Sequence, residues 1–353
     1  MPCATPGSMK HSRVGKAPSG LRRGRPVRDQ LFGIWVAWSA LSGLGWAPPA
    51  VAQPEPFVCP DLSVGEIQED CPWAAVARGL IATANTPPGV LARLRQQLPG
   101  LHRQIQADST STFMKGLWGQ SINFDEGARA ITVDPSILDA ITSSFAVPAA
   151  DKNIVHAGAI HTYGYLFSVL KTSFGYKRAR WVSGVIERGL GIGPGVLGPE
   201  PSEGTLFANV TYLAARVAFR DDAPRLSRLE REAKVSPSIK ALSWKDLSIT
   251  RLEEVALVKE PGEARTQEVA LYTDFLLFPK ATDSNAALLV YSVREGLGGQ
   301  KLITAFPVDR AFVDRATAAK DLGEEKKIKA RYNAYVKSLE GRTVTGSRSL
   351  IKD

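Results

Sequence analysis

Two histidines, His156 and His161, flank the tetrapeptide AGAI, and an imidazole titrates close enough to neutral pH to take or give a proton. Behind them runs a stretch rich in rings and cations: Tyr163, Tyr165, Phe167, Phe174, Tyr176, Lys177, Arg178, Arg180 and Trp181, with Lys171 in its middle. Aromatic faces stack on planar ligands, while ammonium and guanidinium groups hold phosphate or carboxylate, so the pattern suits RNA or a small anionic ligand. The same residues also suit a core aromatic set beside a solvated basic loop. Five residues separate the imidazoles by about 140° on a helix and put them on opposite faces of a strand, so they converge only if the chain turns near Gly158. No Asp, Glu or Cys completes a metal-ligand spacing with them, and the residues themselves ask for no metal.

Two shorter motifs carry less. Ser168 to Lys171 reads S-x-x-K, the nucleophile and lysine pattern of penicillin-recognising enzymes, but no K-T-G or S-D-N partner follows. The glycines of GLGIGPG, from Gly189 to Gly195, lack the G-K-S or G-K-T ending of a phosphate loop and include Pro194, which predicts an ordinary loop.

The elements that must position these residues divide the chain. Residues 1–52 have the order of a secretory signal: basic residues, the apolar run LFGIWVAWSALSGLGW, then Ala50, Val51 and Ala52 as a cleavage site. Cleavage there places the chain in the periplasm or outside the cell. This leader holds seven basic residues and one acid, so it accounts for six of the nine formal positive charges. A mature chain near +3 is no electrostatic footprint for nucleic acid, and no later apolar run reaches the length of a membrane span. Residues 53–100 form a small helical arm, stapled by a disulfide between Cys59 and Cys71 as an oxidising compartment allows.

Residues 101–353 read as an α+β domain with a mainly antiparallel sheet in the C-terminal half. DPSILDAITSSF predicts a helix capped by Asp134 with Pro135 at its first position. APRLSRLEREAK predicts an exposed charged helix, and GTLFANVTYLAARVAFR a buried strand. Strands follow at IKALSW, EEVALV, EVALYTDFLLF, AALLVYSV and KLITAFPV, the last two joined by the hairpin connection REGLGGQ. EEKKIKARYNAYVKSL predicts a closing amphipathic helix.

EVALYTDFLLFP, ALLVYSV and KLITAFPV together resemble the closing strands of the EndoU endoribonuclease family, over Glu268 to Arg310. The family's E-x-A-L-Y-T and T-A-Y-P motifs match Thr304 directly and place Phe306 at the aromatic position. The resemblance implies an α+β fold and manganese-stimulated cleavage of RNA at uridines by two His and a Lys, leaving a cyclic phosphate. Thr304 and Phe306 would line the substrate, and HTYGYLFSVLKTSFGYKR resembles the segment that begins at the family's second catalytic His, which maps to His161. His156 lies closer upstream than the family spacing, and Lys171 and Lys177 closer downstream.

Two functions stay open from the residues. One is a phosphodiesterase with His161 and His156 as acid and base, Lys177 or Lys171 as cation, and Thr304, Phe306, Tyr163, Tyr165, Arg178 and Trp181 around the substrate. The other is a non-catalytic periplasmic or secreted ligand-binding protein.

Overall fold

The computed structural model describes residues 57–59, 64–68, 70–83, 86–123, 132–146, 154–172, 175–259, 261–279, 285–318, 334–336 and 343–352. The leader, Phe174 and most of the expected closing helix lie outside them; the part of that helix described, 334–336, is a strand.

Proline and side-chain caps set the helix starts. In α1 (Pro72–Thr83), α2 (Pro87–Gln97) and α3 (Pro99–Ser109) a proline occupies the first position, where no amide hydrogen is needed. Thr86 caps α2 by accepting from the Gly89 amide at 3.2 Å. Short α4 (Thr112–Leu117) leads into β1 (Gln120–Asn123), and α5 (Pro135–Ser144) starts as expected, with Asp134 accepting from the Ser136 amide at 2.8 Å. Next come β2 (Ile154–His156), α6 (Ala157–Thr162), the small hairpin of β3 (Lys171–Thr172) and β4 (Gly175–Tyr176), and α7 (Val185–Leu190). Then follow α8 (Leu206–Ala218), α9 (Ala223–Glu232) and α10 (Pro237–Lys240). The cysteines of the arm are joined, Cys59 to Cys71, with Cα atoms 5.7 Å apart.

The C-terminal half is the antiparallel sheet. β5 (Ser248–Lys259), β6 (Thr266–Leu277), β7 (Ala286–Glu295) and β8 (Lys301–Asp309) pair in sequence order as a meander. After α11 (Arg310–Thr317) and β9 (Ala334–Val336), β10 (Thr343–Lys352) returns to pair with β5, which leaves β8 as an edge. β9 and β2 flank β1 in a separate three-stranded sheet.

Two expectations need correction. The run expected as a buried strand at GTLFANVTYLAARVAFR is α8, with Thr205 as its cap, and twelve of its thirteen residues are buried. Almost every position of the run is apolar or small, so its β-branched and aromatic residues imitate a buried strand. IKALSW contains no strand either: α10 ends at Lys240, and a 3₁₀ turn spans Trp244–Asp246.

Both faces of the sheet are buried, as the alternation of strands dictates. Leu288 and Val290 of β7, with Leu302 and Ala305 of β8, join one core with α1, α3, α6 and α8. Leu289 and Tyr291, with Phe306 and Val308, face the other way and pack beside Val313 of α11. The register slips between Tyr291 and Ser292, which face Thr304 and Leu302, so Ile303 is the extra residue of a bulge.

Candidate functional site

His161 and its neighbours gather beside the outer edge of β8. Trp118 bridges in parallel to Leu302, and the Gly119 amide donates to the Leu302 carbonyl at 2.8 Å, so β1 and α6 are anchored beside this edge. Gly158 permits the approach: a Cβ there would lie 2.6 Å from the Trp118 ring and 2.8 Å from the Phe207 ring. The chain does turn between the two histidines, because β2 ends at His156 and α6 begins one residue later.

That turn gives the imidazoles different tasks. His156 Nδ1 accepts from the Ala159 amide at 3.2 Å and caps α6. Burial lowers its pKa, against the backbone of Lys115, which raises it. His161 sits in the last turn of α6, stacked on Tyr165 with ring centroids 5.0 Å apart and planes at 17°. Its Nε2 lies 3.4 Å from Ser121 Oγ, and its Nδ1 has no partner with hydrogen-bond geometry among the described residues. Burial, then the charges of Arg180 and Lys177, hold its pKa well below the ordinary imidazole value, while the backbone of Ile303 works in the opposite sense. The ring is therefore neutral at pH 7.

The cations meet the same tyrosine. Lys177 Nζ lies 4.2 Å from the Tyr165 ring centroid, and the Arg180 guanidinium lies 5.5 Å from it. Arg180 also lies 4.2 Å from the Phe306 ring, so it spans from the helical side of β8 to a residue of the opposite face. Each of Lys177 and Arg180 is only 6% exposed. Ring faces attract these buried cations and offset part of their desolvation.

The remaining expected residues scatter. Lys171 is exposed on the small hairpin, 5.8 Å from the Tyr176 ring, and does not join His161. Arg178 stacks on Tyr176 at 4.3 Å and donates from its amide to Ser168 Oγ, which engages the serine of the S-x-x-K match. Trp181 is a core residue. Thr304 is buried opposite Tyr291 and shares the face of Phe306, away from the face on which α6 and α8 pack.

Tyr163 belongs to another centre. Its hydroxyl donates to Asp108 Oδ2 at 2.5 Å, and Thr205 Oγ1 donates to Oδ1 at 2.9 Å. Burial raises Asp108 to about 6 despite these bonds. The glycine-rich loop is also structural, since Glu187 accepts from the Leu197 amide at 3.1 Å and burial lifts its carboxyl to about 7.

The comparisons with known proteins decide nothing further. No family model, curated protein or solved structure matches the chain. Among the described residues, no three His, Cys, Asp or Glu gather to hold a metal ion, so manganese finds no built ligand set there. The sequence alone placed Arg180 in the basic run without singling it out as a site residue, and it passed over Ser121. Only the pairing of distant segments at the β8 edge brings those two to the imidazole.

Proposed function

We propose that the protein cleaves phosphodiester bonds of RNA at the His161 cluster. The observation that carries this reading is a neutral imidazole on the same tyrosine ring as two cations. In the tautomer whose Nε2–H donates to Ser121, Nδ1 is the proton acceptor for a 2′-hydroxyl, whose oxygen then attacks the adjacent phosphorus. Lys177 and Arg180 offset the charge on the phosphoryl oxygens as the 5′-oxygen leaves. His156 is committed to capping α6, so the leaving oxygen takes its proton from Lys177 or water. The products are a cyclic phosphate and a free 5′-hydroxyl. The resemblance of the closing strands supports RNA as the substrate class.

A second reading, ligand binding without turnover, is favoured by burial: His161, Tyr165, Lys177 and Arg180 are each less than a tenth exposed. The test is incubation of the full chain with a uridine-containing RNA oligonucleotide, with and without manganese. Cyclic-phosphate product from the parent, with a loss of roughly 10²-fold or more in His161→Gln, supports the enzyme. No cleavage in either condition by folded, disulfide-bonded protein supports the second reading.

A further inference from the structure

A separate cleft opens between α4, α9 and the connection that enters β8. Its volume is about 420 Å³, within the range of small-molecule sites, and its lining includes Thr112, Phe113, Leu117, Arg225, Arg228 and Lys301. No acidic residue lines it among the described residues. Neutral groups hold two of the cations in place. Arg225 Nη1 donates to the Gln300 carbonyl at 3.1 Å, and Lys301 Nζ donates to the Gly116 carbonyl. These bonds orient the head groups without cancelling their charge. Arg228 lies 4.1 Å from the Phe113 ring, which fixes a guanidinium plane against an aromatic wall.

Nearby acids neutralise the cleft only in part. Asp222 pairs with Arg225 at 3.1 Å and Glu232 with Arg228 at 2.6 Å, but these carboxylate side chains are 41% and 42% exposed and screened by solvent. Lys301 has no carboxylate within ion-pair distance among the described residues. Burial, then the charge of Arg225, lowers its pKa.

We propose that this cleft binds a phosphate carried on a planar ring, in the size class of a nucleoside monophosphate. Three cations from two elements match the several oxygens of a phosphoryl dianion better than the two oxygens of a carboxylate. Phe113, Leu117 and the Arg228 plane supply the wall for a ring. The site shares no residue with the His161 cluster and does not depend on that reading.

Calorimetric titration of the full chain with phenyl phosphate, inorganic phosphate and phenol tests it. Phenyl phosphate is expected to bind more tightly than inorganic phosphate, with phenol showing no heat. Affinity should fall roughly tenfold in Lys301→Gln and again in Arg228→Gln, weaken with added salt, and stay unchanged in His161→Gln. Arg228 is half exposed, so its variant keeps the test open if Lys301→Gln fails to fold. Absence of phenyl phosphate binding by folded protein overturns the proposal. So does equal affinity for inorganic phosphate, or binding that neither substitution changes.

Discussion

Asp108 and His161 are both buried ionisable groups placed against the short α6 segment, and they are built in opposite ways. Asp108 receives hydrogen bonds on both oxygens, from Tyr163 and from Thr205, which tie the end of α6 to α3 and the start of α8. His161 has a 3.4 Å contact on one nitrogen, none on the other among the described residues, and two cations beside it. A fully partnered polar group stabilises the architecture around it. A buried group held neutral beside two cations gives up stability when it is forced to protonate.

The difference is open to direct attack. Asp108→Ala leaves two buried hydroxyls without an acceptor, so it should lower unfolding free energy by about 3 kcal/mol, read by urea denaturation. A loss below about 1 kcal/mol would place Asp108 outside the scaffold.

pH should separate the two centres next, because their linkages have opposite signs. Asp108 is raised from 3.8 to about 6, so its contribution is present below about 4 and fades as pH rises through about 6. The effect should be on the order of 3 kcal/mol and should vanish in Asp108→Asn. Glu187, raised to about 7, adds a limb of the same sign that persists in that variant. His161 is lowered, so stability is retained above 6.5 and lost as pH falls from there toward its depressed folded value. Unfolding curves from pH 4 to 8 for Asp108→Asn and His161→Gln resolve the two limbs.

A smaller loss, about 1 to 2 kcal/mol, is expected for Tyr163→Phe, which removes one donor from Asp108 and keeps the ring. Smallest of all, His161→Phe preserves a ring against Tyr165 and removes an unpartnered Nδ1 together with the long 3.4 Å contact from Nε2 to Ser121. Its stability should stay within about 1 kcal/mol of the parent while RNA cleavage is lost. Thermal melts and the oligonucleotide assay run together check both halves of that statement.

Local signals made much of the fold legible. Asp134 and Pro135 announce α5, and two apolar runs either side of a glycine-rich connection announce β7 and β8. α8 was read as a strand because its apolar run is nearly continuous and rich in β-branched and aromatic residues. Its length and its alanines were the better guide. The candidate site was half legible. The imidazole and the basic aromatic run stand close together in the chain, but Tyr163 turns to Asp108 and Lys171 to Tyr176. Local sequence cannot tell which neighbouring ring faces which partner. The cleft was illegible for a plainer reason: Phe113, Arg228 and Lys301 come from three separate elements.

The most direct test of the contrast is the protonation of His161, followed by nuclear magnetic resonance of the imidazole nitrogens in the full chain, with His161→Gln providing the assignment. The predicted result is a ring that stays neutral well below pH 6.5 and titrates higher in Arg180→Gln or Lys177→Gln. A His161 that titrates at or above 6.5, or that ignores removal of both cations, would contradict the assignment of this cluster as the functional centre.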